Sequence, residues 1–583
     1  MSHAKSAPSQ PSAASRSEPS LPADAVCFRR VGANYVVETR RRGLDVYREP
    51  LLNKGSAFTL AERRALGLEA LLPGTPKSMA QQVQRVHAQL RLRSAPIDQY
   101  LELSALQDRN EHLFYRVLRD HLAELMPIVY TPTVGEATQR FSELFRRGRG
   151  VWLNPGHRGR IREVLAQSLR PDVRLIVATD NESILGIGDQ GAGGMAIAIG
   201  KLTLYCATAG IHPSHTLPIS LDVGTDNPAL LESPDYLGWC QPRLRGDAYF
   251  DFLDEFVAAI QELYPRALLQ WEDLRNDIAL RVLDRYHKVL PSFNDDIEGT
   301  GAVTVAGVLS AARVSGTLIR DQRFVIFGGG AAGLGIARQL RELLVVEGCP
   351  PEEARARIAV LDSRGLIAEH APPGAAYKLD LALPAAALAH YRLAAGAGLA
   401  EVVGRFQPHA LIGTSGVPGA FAEDLVTGLC RAHARPLILP LSNPTSLCEA
   451  SPANLLRWSR GQAIVATGSP FEPVVYEGRT RPIGQGNNVF IFPGLGLGAI
   501  ASQAPTVTAP MFYAAARALA TAVSESELAE GLIYPRIGRL PDVAQSVAAE
   551  VAKIGARTTG VDAQAELQKL RWEPAYPEIR AVG

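Results

Sequence analysis

Between about Leu51 and Leu125 apolar residues recur at helical spacing, as in Tyr100-Leu-Glu-Leu-Ser-Ala-Leu106 and Leu113-Phe-Tyr-Arg-Val-Leu118. This periodicity predicts a helical region. After Pro127 the texture changes to short apolar runs, Arg174-Leu-Ile-Val-Ala178 and Leu268-Leu-Gln-Trp271, that alternate with helical stretches. A second block of the same kind starts near Ile297 and holds Phe324-Val-Ile-Phe327, Ile358-Ala-Val-Leu361, Ala410-Leu-Ile412 and Pro436-Leu-Ile-Leu439, each followed by turn residues. Strands alternating with helices predict an α/β protein with parallel sheets. No internal repeat is visible, and residues beyond Asp562 read as a polar, peripheral tail.

Composition narrows the function classes. The 583 residues are too many for a single small binding module. With 46% hydrophobic and 20% charged residues the bulk of the chain is globular, while the Ser-, Ala- and Pro-rich stretch from Met1 to Val26 predicts a disordered tail. Lys and Arg (60) balance Asp and Glu (59), so there is no basic excess for nucleic acid or an anionic membrane. No apolar run reaches the ~18 residues of a spanning helix. The six cysteines, Cys27, Cys206, Cys240, Cys349, Cys430 and Cys448, are scattered without Cys-x-x-Cys pairs and point to a reducing compartment. A cytoplasmic location follows as the expectation, or an organellar matrix if the N-terminal stretch is a transit peptide.

Gly328-Gly-Gly330-Ala-Ala-Gly333 lies between an apolar strand and the helix expected over Leu334 to Val346, which is the setting of a dinucleotide fingerprint. Gly328 would allow the tight turn, Gly330 the approach of a pyrophosphate, and Gly333 close packing of helix on strand. The bland alternative is a flexible glycine turn. The second strand ends at Asp362, where a carboxylate would meet the adenosine ribose, as NAD requires. Ser363 and Arg364 follow, and a hydroxyl and a guanidinium there could instead hold the 2′-phosphate of NADP. NAD and NADP both stay open at this point.

Glu272-Asp273 ends one apolar run and Asp295-Asp296 ends the next extended one. On successive parallel strands these ends lie side by side, and four carboxylates together call for a cation, with an all-oxygen set suiting Mg²⁺ or Mn²⁺. The alternative is a set of helix-capping and solvated acids. Lys201, among Ala, Ile and Leu, could have its pKa lowered by burial or by a nearby metal, as a general base requires, or could simply snorkel to water. Tyr130 stands at the junction of the helical and α/β regions, where a substrate cleft or plain turn packing would both place it.

Taken together these residues make the chain resemble the malic enzymes from Leu51 to Pro577. The resemblance runs through Leu51-Leu-Asn-Lys-Gly-Ser-Ala-Phe58, Tyr130-Thr-Pro-Thr-Val-Gly135, Asp222-Val-Gly-Thr225, Ser442-Asn-Pro-Thr445 and Gly486-Asn-Asn-Val-Phe-Ile-Phe-Pro493. It implies oxidative decarboxylation of L-malate to pyruvate and CO₂ with a divalent metal and NAD or NADP, in a homo-oligomer, commonly a tetramer. Glu272, Asp273 and Asp296 then fall on the metal ligands, Lys201 on the general base, Tyr130 on the general acid, and Asp295 on the acid beside the lysine. Asn443 and Asn488 fall on asparagines that meet substrate and nicotinamide, with Asn487 beside them.

The chain departs from the family at Asp180-Asn-Glu-Ser183-Ile-Leu-Gly186, where Ser183 replaces the arginine that holds the substrate carboxylate. Glu298 replaces a glutamine, Ile278 an asparagine and Ala198 a proline. Arg158, Arg160 and Arg174, which precede this strand, are the candidates to compensate for Ser183. A malolactic-type conversion to lactate with retained cofactor, and a sensor that binds nucleotide or dicarboxylate without turnover, remain as alternatives. The expected organisation is a tail over 1–26, a helical N-terminal domain over 27–148, a substrate and metal domain over 149–294 plus 488–555, a Rossmann-type domain over 295–487 and a C-terminal tail over 556–583.

Overall fold

Buried strands dictate the architecture. In the runs Leu175–Thr179, Thr216–Leu221, Leu268–Glu272 and Ser292–Asn294 every residue is buried, so these strands need cover on both faces, as parallel sheets flanked by helices provide. The computed structural model describes residues 26–31, 34–167, 172–184, 186–370 and 376–582, and the N-terminal tail expected over 1–26 lies almost wholly outside them.

These residues fall into two units. The first draws on Met1–Ala88, Ala105–Phe114 and Ala575–Gly583. Here Val26–Val31 and Asn34–Thr39 pair antiparallel, and Glu578–Ala581 from the chain's other end joins Asn34–Thr39 in parallel. Val37, Val46, Phe58, Leu66 and Ile579 form its core. The start of the region expected to be wholly helical is therefore a small sheet. Helical periodicity resumes over Met79–Arg91, Pro96–Arg109, Glu111–Asp120 and Leu122–Val129.

The second unit comprises Gln89–Ser104 and Tyr115–Pro574 and holds two larger sheets. One has five parallel strands in the order Val151–Leu153, Thr216–Leu221, Leu175–Thr179, Leu268–Glu272, Ser292–Asn294. Register pairs Thr179 with Glu272 and Trp271 with Asn294, so the carboxyl ends of three neighbouring strands are level. The other has the order Gly365–Leu366, Ile358–Asp362, Phe324–Phe327, Ala410–Gly413, Leu437–Pro440, Ile464–Thr467, Gly484–Gln485, all parallel except the first pair. Chain order reverses beside Phe324–Phe327, which makes this a Rossmann-type sheet with its crevice at that strand's carboxyl end.

After the second sheet the chain returns to the first. Helix Phe492–Ser502 lays Gly494 and Gly498 against Leu540–Thr559, where a Cβ would come within 2.6 Å of the Ala544 carbonyl and 2.7 Å of the Ala548 carbonyl. Glycines four apart let these two backbones approach closely. Within the segment expected as a peripheral C-terminal tail over 556–583, Ala563–Leu570 is helical, Trp572 is buried edge-on to Tyr115, and its backbone N–H donates to the Gly210 carbonyl at 2.7 Å. One helical stretch, Gly191–Ala209, is long and apolar enough to cross a membrane, contrary to the expectation from the sequence, and it is 94% buried inside the protein.

Candidate active site

The level ends of the five-stranded sheet gather the acidic residues expected there. One carboxylate oxygen each from Glu272, Asp273 and Asp296 lies within 4.8 Å of the others. Asp273 sits in a left-handed turn with φ of 55°, and its N–H donates to Asp296 Oδ2 at 2.9 Å, which closes the set. Asp295, the residue before Asp296, opens the helical turn Asp295–Gly299 instead of continuing the extended run, and its carboxylate bonds Lys201.

Lys201 reaches this cluster from helix Met195–Leu204, whose residues are almost all buried. Its Nζ is 2.8 Å from Glu272 Oε1 and bonded to Asp295 Oδ2, and the two side chains are 2% and 0% exposed. The Phe492 ring centroid is 4.6 Å from Nζ and that of Tyr130 5.7 Å, so the ammonium is caged by aromatic faces on its remaining sides. Asn488 holds Asp295 in place, donating from Nδ2 to its carbonyl at 3.0 Å and to Oδ2 at 3.2 Å. Asn487 caps its own turn, its Oδ1 accepting from Val489 N at 2.9 Å, and so faces backbone.

Two residues that the sequence did not single out complete the site. Gln270, on the same strand as Glu272, donates to Glu272 Oε2 at 2.8 Å and accepts from the Tyr205 hydroxyl at 2.6 Å. The chain Tyr205–Gln270–Glu272–Lys201–Asp295–Asn488 is thus one polar network, satisfied except at Asp295 Oδ1, which is buried without a hydrogen-bond partner.

The electrostatics show what the cluster can hold. Burial pushes Glu272 up to about 8 and Asp296 up to about 6 despite the neighbouring lysine, and burial with Asp296 and Glu272 drives Asp273 well above the carboxylate range. Asp273 Oδ2 is buried without a hydrogen-bond partner. Four carboxylates facing one ammonium, with an orphaned oxygen among them, fit a divalent cation with oxygen preference held by Glu272, Asp273 and Asp296. Burial alone would lower Lys201, yet Asp295 and Glu272 outweigh it and hold the ammonium above the ordinary lysine range. In this arrangement burial does not by itself make Lys201 a base, contrary to that part of the expectation. Tyr130 is raised by burial and keeps its proton.

Ser183 is half-buried, and its N–H donates to the Asp273 carbonyl at 2.9 Å, so position 183 does border the cluster. The arginines expected to compensate do not come here. Arg174 starts the strand, at the end opposite the site, and bonds Asp172, while Arg158 faces Asp251 at 3.7 Å and Arg160 precedes helix Ile161–Gln167. Arg245 and Arg275 do come, at 2.7 and 3.4 Å from the Glu182 carboxylate. Arg243 is buried behind them, donating to the Asp180 carbonyl at 2.8 Å and paired with Asp189. Among the other departures, Glu298 is turned inward: its carboxylate accepts from Asn294 N at 3.0 Å, and burial pushes it up to about 8.

On the second sheet the glycine turn behaves as its spacing requires. Gly328 has φ of 133° and leads into helix Ala331–Val346, and a Cβ on Gly333 would lie 1.8 Å from the Gly328 carbonyl. A Cβ on Gly330 would meet Asn276 Nδ2 at 3.2 Å. Asp362 ends its strand with its carboxylate accepting from Arg364 N at 2.8 Å and from Lys378 Nζ at 2.5 Å. Lys378 is a further residue the sequence did not reveal. Ser363 is exposed, and the Arg364 guanidinium, also exposed, stands 3.7 Å from Asp362. Asn443, after strand Leu437–Pro440, accepts a bond from the Ser469 hydroxyl.

A dinucleotide crevice beside a buried lysine places the chain among the nicotinamide-dependent oxidoreductases. Comparison with known proteins narrows this. Residues 107–287 match the family model "Malic enzyme, N-terminal domain" and residues 297–556 match "Malic enzyme, NAD binding domain". The NAD-dependent malic enzyme of Pectobacterium carotovorum subsp. carotovorum is 44% identical over 534 residues, 90% of this chain and 94% of that one. That of Edwardsiella ictaluri is 45% identical over 535 residues, with the same two shares. The solved malic enzyme of Entamoeba histolytica matches with a TM-score of 0.52 at 22% identity, covering 87% of this chain and 91% of its own, and so bears on the fold alone. The chain belongs to the malic enzyme family.

Proposed function

We propose that the protein catalyses oxidative decarboxylation of L-malate to pyruvate and CO₂ with reduction of NAD, assisted by Mg²⁺ or Mn²⁺. The observation that carries this reading is the buried Lys201 held by Asp295 and Glu272 beside a cluster of carboxylates in excess of its charge. The proposal of NAD over NADP is supported by relatives named NAD-dependent and by Asp362, a carboxylate at the strand end where an adenosine ribose would lie. A homo-oligomeric assembly and a cytoplasmic location belong to the same reading, supported by the family and, for the latter, by the free cysteines.

Glu272, Asp273 and Asp296 would hold a divalent cation, which would supply Lewis acidity toward the oxygens of the substrate and favour the neutral form of the nearby Lys201. A dinucleotide held at the Gly328–Gly333 turn would supply the acceptor for the C2 hydride. The chain's own residues move the protons. Lys201 Nζ, in its neutral form, accepts the C2 hydroxyl proton, which leaves a 2-keto acid with a carboxylate β to the ketone. That carboxylate departs as CO₂ and its bonding electrons form the C2–C3 double bond of the pyruvate enolate. The Tyr130 hydroxyl, protonated because burial raises its pKa, delivers a proton to C3, and Lys201 returns one to the tyrosine. Asp295 and Asn488 orient the lysine throughout.

Incubation with L-malate and each nicotinamide dinucleotide, with and without Mn²⁺, tests the reading. Pyruvate and reduced NAD are expected only with the metal; lactate without net reduction, or binding without turnover, would replace it.

A further inference from the structure

The dinucleotide sheet contains a buried carboxyl group that the mechanism above does not use. Glu449 is 0% exposed and follows the turn Thr445–Leu447. Its Oε1 accepts from Ser415 N at 2.9 Å, Ser415 Oγ at 2.8 Å and Ser442 Oγ at 2.6 Å, and its Oε2 from Ser442 N at 3.4 Å. Among the described residues no Lys, Arg or His pairs with it. A buried carboxyl group without a cation is costly unless donors converge on it, and here four do.

The donors belong to two loops at the crevice. Ser415 follows Ala410–Gly413 and Ser442 follows Leu437–Pro440, so the carboxylate ties together the carboxyl ends of adjacent strands. It can do so only because residue 413 is glycine, since a Cβ there would lie 2.4 Å from Glu449 Cδ. Ser442 passes the constraint on, receiving Gly416 N at 2.9 Å and immediately preceding Asn443 and Pro444. Pro444 in turn abuts the loop that carries Ser183: a Cβ on Gly186 would be 2.5 Å from Pro444 Cδ. Moreover, Gly328 of the fingerprint rests on Thr414, whose hydroxyl donates to the Gly328 carbonyl at 3.2 Å.

We propose that Glu449 is a positioning residue, whose carboxylate fixes the Thr414–Gly416 and Ser442–Pro444 loops and thereby holds Asn443 and the glycine turn in register for the dinucleotide. This rests on the proposed NAD-dependent function.

The test is NADH binding by fluorescence titration, which needs no turnover, alongside the Mn²⁺ concentration for half activity. Glu449→Ala is expected to weaken NADH binding about ten-fold and to lower kcat, with the Mn²⁺ requirement unchanged. Glu449→Gln should restore most of the affinity, because an amide oxygen can keep the three bonds of Oε1. If Glu449→Ala does not fold, Ser442→Ala is read in its place and should show the same selective loss. NADH affinity within two-fold of wild type, an equal loss of Mn²⁺ response, or a Gln variant as damaged as Ala would each overturn the proposal. Wild-type protein that binds no NADH would instead overturn the underlying functional reading.

Discussion

The two large sheets present the same edge, the carboxyl ends of parallel strands, and furnish it with opposite chemistry. The five-stranded sheet gathers Glu272, Asp273, Asp295 and Asp296 around one lysine, so charge is concentrated and buried. The seven-stranded sheet removes side chains instead: Gly328, Gly330 and Gly333 leave backbone N–H groups at a helix start, and the buried Glu449 carboxyl group is met by hydroxyl and amide donors. One edge suits a cation, the other an anion such as a pyrophosphate. The comparison teaches that strand ends supply position, and that the ligand is chosen by what the few residues after each strand carry.

The comparison breaks most sharply if the two edges are damaged separately. Lys201→Ala and Asp296→Asn should each lower kcat by about 10³-fold while NADH affinity stays at the wild-type value, since both act on the carboxylate edge. A titration of activity against Mn²⁺ separates them: the requirement rises for Asp296→Asn and not for Lys201→Ala. Gly333→Ala is the mirror experiment. Its methyl would collide with the Gly328 carbonyl, so NADH binding should weaken by about ten-fold or more with no change in the Mn²⁺ requirement.

Ser183→Arg sharpens the account of the substrate. A charge-assisted bond to a buried carboxylate contributes about 1.5–3 kcal/mol, so kcat/KM for malate should rise roughly ten-fold or more. A fall in kcat/KM would show that Arg245 or Arg275, both drawn to neighbouring Glu182, already fills that place.

A smaller effect follows from pH. Glu272 and Asp296 must lose their protons to bind a cation, and burial has moved them up to about 8 and about 6. Their protonated forms compete with the metal at low pH, so the Mn²⁺ concentration for half activity should fall several-fold as pH rises from 6 to 8. NADH affinity, which depends on the other sheet, should change little over the same range.

The glycine turn and the two acidic pairs were legible in the sequence because each is a run of neighbouring residues at the end of an apolar strand. The sheet register then had only to bring the ends level, as it does for Trp271 and Asn294. What was not legible is held by partners far apart in the chain. Lys378 lies 16 residues after Asp362, Glu449 34 after Ser415, and Gln270 65 after Tyr205, and no local pattern marks such pairs. The same holds for Glu578–Ala581, a polar-looking segment that becomes a strand only because Asn34–Thr39 offers it an edge. Arg174 was a poor candidate for a reason that chain order does contain: it precedes the strand Leu175–Thr179 and so stands at the end opposite the carboxyl edge.

The central claim, that one site removes a hydride from malate and then its β-carboxylate, is tested most directly with L-malate deuterated at C2, supplied with NAD and Mn²⁺. Mass spectrometry should find one pyruvate, one CO₂ and one deuterium-carrying reduced dinucleotide for each malate consumed. Lactate without reduced dinucleotide, or pyruvate formed while the dinucleotide carries no deuterium, would contradict it.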